Sequence, residues 1–189
     1  MGWSTGNADM ATLIEHFRAM ARNNAWANDR LLGACRQLTD EEFAAERVSF
    51  FPSLRQTLNH NLVVDRYYLA DMQGTGRALV ANEVPYPDAA SLAAEQARVD
   101  RALVAFCDGL SEADLDRIVP IDRKDGIDYR EAIGAILAHL FQHQIHHRGQ
   151  AHAMLAGTTV APPQLDEFFL AGDVARRNEE LKRIGIKSS

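Results

Sequence analysis

Cysteine is scarce in this chain of 189 residues: there are two, Cys35 and Cys107, and neither stands at metal-ligand spacing from another. Both sit in apolar helical patterns, Cys35 near Leu32 and Leu38, Cys107 near Leu103 and Phe106. They read as small buried hydrophobes, and a chain this long can bury a core without covalent staples. Clustered basic charge is also lacking. No Lys/Arg-rich run occurs and the net charge is −6, so the electrostatic footprint of a nucleic-acid binder is missing. No apolar stretch approaches the ~20 residues of a membrane span. The opening MGWSTGNADM has neither the charged region nor the apolar run of a secretory signal, so a cytoplasmic protein is expected. Strong β signals are few.

Helical periodicity is what remains, and it suggests one domain over residues 1–189. A first long helix is expected over about 10–38, with Leu13, Phe17, Met20, Ala21, Trp26, Leu31 and Leu32 near a helical period. Thr39 and Glu42 form a capping box for a short turn. A second long helix starts after Pro52 with Ser53 as N-cap, carries the stripe Leu54, Leu58, Leu62, Asp65, Leu69, and ends at Gly74 and Gly76. Asp88 or Ser91 caps a third, running to about 110, and Ser111–Asp114 reads as another short capped start. Residues 119–129 carry a weak hairpin signal around Asp125-Gly126. A fourth long helix is expected over 129–155, and a last surface helix over 173–184. Four long amphipathic helices imply an all-α fold, a four-helix bundle with short extra helices and a small hairpin.

Five of the seven histidines lie between His139 and His152. His139, His143 and His147 repeat every fourth residue, which stacks their imidazoles along one helix face. Two histidines at i and i+4 can hold one metal ion from a single helix. A third ligand must then come from elsewhere, and His60, flanked by Leu58 and Leu62 in the second helix, is the candidate. Against this, a lone core histidine is more often a hydrogen-bonded packing residue, and one i, i+4 pair arises easily by chance. Five on one helix and one central on another favour the metal. His60, His143 and His147 would leave a coordination position open, as catalytic sites do. Nitrogen donors suit zinc, nickel, iron or copper rather than magnesium or calcium.

The neighbours admit more than one role. His139 is a fourth ligand, a hydrogen-bond partner of a ligand, or a packing residue; the second is preferred. Asp65 either supports a ligand imidazole or pairs with a cation such as Arg148, the plainer alternative. Arg148 binds an anionic group of substrate or cofactor, or is a structural ion pair. Gly149 is expected to allow close helix packing and Gln150 to make a buried hydrogen bond. His146, about 100° from His147 around the helix, is expected outside the ligand set. His152 reads as structural, and His16 as lying on a polar face.

The run HLFQHQIHHRGQ, with its core from His143 to Gln150, resembles the last-helix signature of the DinB-like family, the damage-inducible proteins grouped with the YfiT-like metalloenzymes. Three other stretches agree in order: Trp26 to Leu31 (WANDRL), Ser53 to Asp65 (SLRQTLNHNLVVD) and Pro163 to Phe168 (PQLDEF). The resemblance implies a four-helix bundle with a divalent metal on His60, His143 and His147, often as a homodimer. Some relatives, the mycothiol-dependent maleylpyruvate isomerases, have Glu where this chain has His143; others transfer low-molecular-weight thiols.

Two functional readings follow. In one, a zinc or nickel ion, or iron, activates a low-molecular-weight thiol or a water against a small-molecule substrate, as a thiol S-transferase or hydrolase. In the other, the ion is structural in a non-catalytic metal-binding or stress-response protein, with His139 closing the site. Nucleic-acid and membrane partners are not expected.

Overall fold

Local capping chemistry sets where most of the helices begin. In the computed structural model, which describes residues 12–76, 84–121 and 127–188, helix α1 (Leu13–Cys35) opens on a capping box. The Thr12 hydroxyl accepts from the Glu15 N–H and the Glu15 carboxylate accepts from the Thr12 N–H. The expected start near Met10 lies outside the described residues. The helix ends at Cys35 rather than 38, because Gln37 and Leu38 donate to the carbonyls three residues back and tighten the chain into a turn. Helix α2 (Asp40–Ala44) uses the expected Thr39–Glu42 box.

Helix α3 (Leu54–Gln73) is capped by Ser53 and terminated by Gly74 at φ +67°, a left-handed backbone that glycine adopts without steric cost. Asp88, not Ser91, caps α4 (Ala89–Gly109), accepting from the Ser91 N–H at 2.8 Å. A 3₁₀ turn follows at Glu112–Asp116. Strands β1 (Ile118–Ile121) and β2 (Tyr129–Ala132) then pair antiparallel, Ile118 opposite Ala132 and Ile121 opposite Tyr129. The Asp125-Gly126 turn is outside the described residues. Because residues 129–132 are committed to this ladder, α5 (Ile133–Leu155) starts four residues later than its periodicity suggests. The start is tight: a Cβ on Gly134 would meet the Leu115 carbonyl at 3.3 Å.

The long helices α1, α3, α4 and α5 form the bundle. Helix α1 lies along α4 and α5, and α3 along α5 and α4. Leu31, Leu62, Leu92, Leu103, Leu137 and Leu155 fill the centre. Cys35 and Cys107 are buried among them, and burial pushes each thiol up to about 12, so both stay protonated. Helix α6 (Val174–Arg183) docks on α1, where Glu180 accepts from the Trp26 indole and pairs with Arg30 at 2.8 Å. The expectation for Gly149 is corrected: nothing lies within 4 Å of the position its Cβ would take, so it faces open space. No described helix is long and apolar enough to cross a membrane.

Candidate metal centre

Helix α3 carries His60 and helix α5 carries His143 and His147, so the pairing of these two helices decides whether the three imidazoles meet. They do. One ring nitrogen from each lies within 4.8 Å of the others. The Nε2 atoms of His60 and His143 are 3.0 Å apart. Ring centroids are separated by 5.0 Å (His60–His143), 4.9 Å (His60–His147) and 4.5 Å (His143–His147). A tetrahedral zinc site with ~2.0–2.1 Å bonds needs ligand nitrogens roughly 3.3 Å apart, so the spread is within a small side-chain adjustment of that geometry.

The electrostatics keep the cluster neutral. Burial first, then the nearby His147, lowers the His60 pKa to about 4. Burial and the surrounding imidazoles lower His143 to about 3. His147 is lowered too, chiefly by burial and against a hydrogen bond that raises it. Neutral imidazole is the metal-binding form. His147 Nδ1 faces Gln150 Oε1 at 2.8 Å, which fixes Nδ1–H as donor and leaves Nε2 for the cluster. The His143 Nδ1 is buried and unpartnered. No acidic or thiol group joins the trio among the described residues.

The chain is similar to known proteins in sequence and in fold. The sequence model of the DinB family matches residues 10–178, nearly the whole chain. The chain belongs to the DinB family. The crystal structure of a DinB-like protein from Bacillus cereus ATCC 10987 superposes on this DinB-family chain with a TM-score of 0.58 at 20% identity, covering 74% of this chain and 90% of that one. At that identity the likeness is one of fold. No curated protein matches.

The family segments meet one another in space. Asn28 of WANDRL binds Asp100 and accepts from Arg148; Arg30 donates to the Gln164 carbonyl of PQLDEF; Trp26 packs on Phe168 at 5.5 Å. Asp65, at the end of the α3 segment, is fully buried and touches no histidine. Its oxygens accept from Gln96 at 2.9 Å and Gln144 at 2.5 Å. It makes no direct ion pair with Arg148 either. The Arg148 guanidinium donates to Asn24, Asn28 (3.2 Å) and Gln144 (3.5 Å), and feels Asp65 and Asp100 through space. The anion-binding role for Arg148 is therefore corrected: its guanidinium is buried, turned to α1 and already engaged.

His139 is exposed, with its ring edge-on to Tyr68 at 5.3 Å and 6.2 Å from that of His143. It makes no hydrogen bond to the trio, so Gln150 rather than His139 orients a cluster imidazole. The i, i+3 spacing from His147 to Gln150 was the available signal. His146 is exposed and bonded to Gln150, and His152 meets the Pro163 carbonyl at 2.9 Å, as structural residues do. Two residues gave no sequence signal. Phe51 lies 4.5 Å from the His60 ring and 5.5 Å from His147, and Phe50 lies 6.3 Å from His147.

Proposed function

We propose that this DinB-family protein binds one divalent transition ion through His60, His143 and His147 and is a metal-dependent enzyme acting on a small molecule. Zinc or nickel fits the three nitrogen donors best, with iron as the alternative. The carrying observation is that three imidazoles, each with its pKa lowered, converge and no fourth acidic, thiol or imidazole donor joins them among the described residues. That donor set favours an open coordination position over a closed structural site. The position of His139 against Tyr68 weighs against the closed form of the non-catalytic reading, which needs a fourth protein ligand.

A bound ion there supplies Lewis acidity, which lowers the pKa of a low-molecular-weight thiol or a water and suits a thiol S-transferase or hydrolase. The chain's own contribution is positional. Gln150 holds His147 in one tautomer. Phe51 limits water on the His60 side. A reduced, cytoplasmic setting would keep such a thiol available.

A homodimer is part of the proposal. Ile145 and Phe169 are both more than half exposed and, with Met20, Leu165 and polar neighbours that include His152 and Asp166, line a groove of about 420 Å³ on the side of α5 away from the three-histidine cluster. Exposed apolar patches of this kind mark association surfaces.

The test is metal content by mass spectrometry in tag-free protein purified without chelator. About one ion per chain is expected for a single three-histidine site, lost in His143→Ala and in His60→Ala. Metal retained in both variants would sink the assignment.

A further inference from the structure

The connection from α2 to α3 turns apolar side chains outward beside the histidines. Val48 is fully exposed and Phe50 is 77% exposed, although both are large hydrophobes. Phe50 meets Phe51 edge-to-face at 4.9 Å, and Phe51 rests on His60 and His147. Behind this corner lies a cavity of about 400 Å³, lined by Arg47, Val48, Ser49, Gln150, Met154 and Gly157 among others. Gln150 belongs to both places: it walls the cavity and bonds His147. The cavity therefore adjoins the candidate centre through Gln150, with no cluster histidine in its own lining, and its volume falls in the range of small-molecule sites.

Its chemistry is uncharged. Arg47 is the one formal charge in the lining, and its guanidinium is spent on the loop's own backbone, donating to the Ala45 carbonyl at 2.8 Å and the Glu42 carbonyl at 2.9 Å. No acidic side chain lines the cavity. Arg148, next in sequence to a cluster histidine, is buried toward α1 and cannot serve an anion here.

We infer that the Phe50–Phe51 corner and the adjoining cavity hold the non-reacting part of the substrate, and that this part is a neutral aromatic or similarly apolar group. The aromatic faces supply area at little conformational cost, and the absence of a free cation selects against a carboxylate or phosphate at this end. Placing the apolar group here sets its reactive end beside His60 and His147. As a statement of substrate class this rests on the metal-centre reading.

The experiment pairs two fluorescent probes that share one frame, neutral N-phenyl-1-naphthylamine and its anionic sulfonated form, 8-anilino-1-naphthalenesulfonate. Each is titrated into wild type, Phe50→Ser and Val48→Asp, with and without chelator treatment. Both side chains are exposed, so the folds should survive; the thermal midpoint checks this. The neutral probe is expected to bind more tightly than the sulfonate and to weaken about tenfold or more in each variant, with metal content unchanged. Equal affinity in wild type and both variants would overturn the inference, because the probe then sits elsewhere. A preference for the sulfonate would overturn it as well. So would self-association that Phe50→Ser abolishes, since Phe50 would then be a contact between copies. Absence of metal from wild type, with the neutral probe still bound and still lost in Phe50→Ser, would sink the metal centre and leave the apolar pocket standing.

Discussion

His143 lies beside both of its partners in the cluster, with Nδ1 buried and unpartnered and Nε2 facing that of His60 at 3.0 Å. Burial disfavours the charged ring first, and the neighbouring imidazoles add to it, His147 on His60 and His147 and His60 on His143, so the His143 and His60 values fall to about 3 and about 4. A consequence for metal binding follows. Three ordinary imidazoles, with pKa about 6.5, would each lose about fivefold in availability between pH 6.5 and 5.5. Here His60 and His143 stay neutral through that interval and His147 is shifted the same way, so zinc affinity measured by chelator competition should change by less than about tenfold in total. A drop of about a hundredfold or more would mean that the imidazoles titrate normally and that the cluster is looser than drawn. The pairing of His143 with His147 was legible at this scale because an i, i+4 pair is a property of any helix. The role of Gln150 was half legible: its hydrogen bond was expected, its partner was not.

Helix α5 carries two chemistries on adjacent faces. His143 and His147 face α3, while Gln144 and Arg148, each one residue on, enter a polar network with α1, α3 and α4. Asp65 and Asp100 are linked through the Gln96 amide at 2.9 and 3.0 Å. Burial and the facing Asp100 raise Asp65 to about 8; burial raises Asp100 to about 6. Near neutrality one proton and the Arg148 cation together offset the two carboxylates. Removing the cation should be costly: Arg148→Met is expected to lower the unfolding free energy by about 3–5 kcal/mol in urea titrations, the usual cost of orphaning a buried charge. A loss under about 1 kcal/mol would show that the network relaxes or admits water. The pH dependence has a definite sign. A carboxyl whose folded pKa is raised stabilises fully below its unfolded value near 3.9 and loses that contribution as pH rises through about 6 for Asp100 and about 8 for Asp65. Asp65→Asn should therefore flatten the decline of stability between pH 6 and 8; an unchanged slope would place the shifted proton elsewhere. The HRGQ run and the WANDRL run were both visible in sequence, yet nothing in either said that Arg148 binds Asn24 and Asn28. That contact joins residues more than a hundred positions apart. The same distance effect shortened α5: its periodicity is helical from 129, but β1 competes for residues 129–132 and takes them.

At the scale of the whole molecule, the two sides of α5 divide the surface. One opens the histidine cluster to the α2–α3 connection; the other presents the apolar groove of Ile145 and Phe169. If the groove is the dimer face, sedimentation should give twice the chain mass, and Ile145→Asp should shift it to monomer at micromolar concentration while leaving bound metal unchanged. A monomeric wild type would remove the dimer and leave the metal centre as it stands.

The sequence by itself determined the helices, the caps and the spacing of His143 and His147, because these depend on local backbone geometry and on which residues repeat along it. It also determined which donors are on offer, imidazole nitrogens, because donor chemistry belongs to the side chain. Tertiary structure decided the rest. Whether His60 faces α5, whether Arg148 meets solvent or a ring of amides, and which loop lies over the cluster all follow from how α1, α3 and α5 pack. That packing is a balance of non-local contacts, to which no short stretch of the chain holds the key.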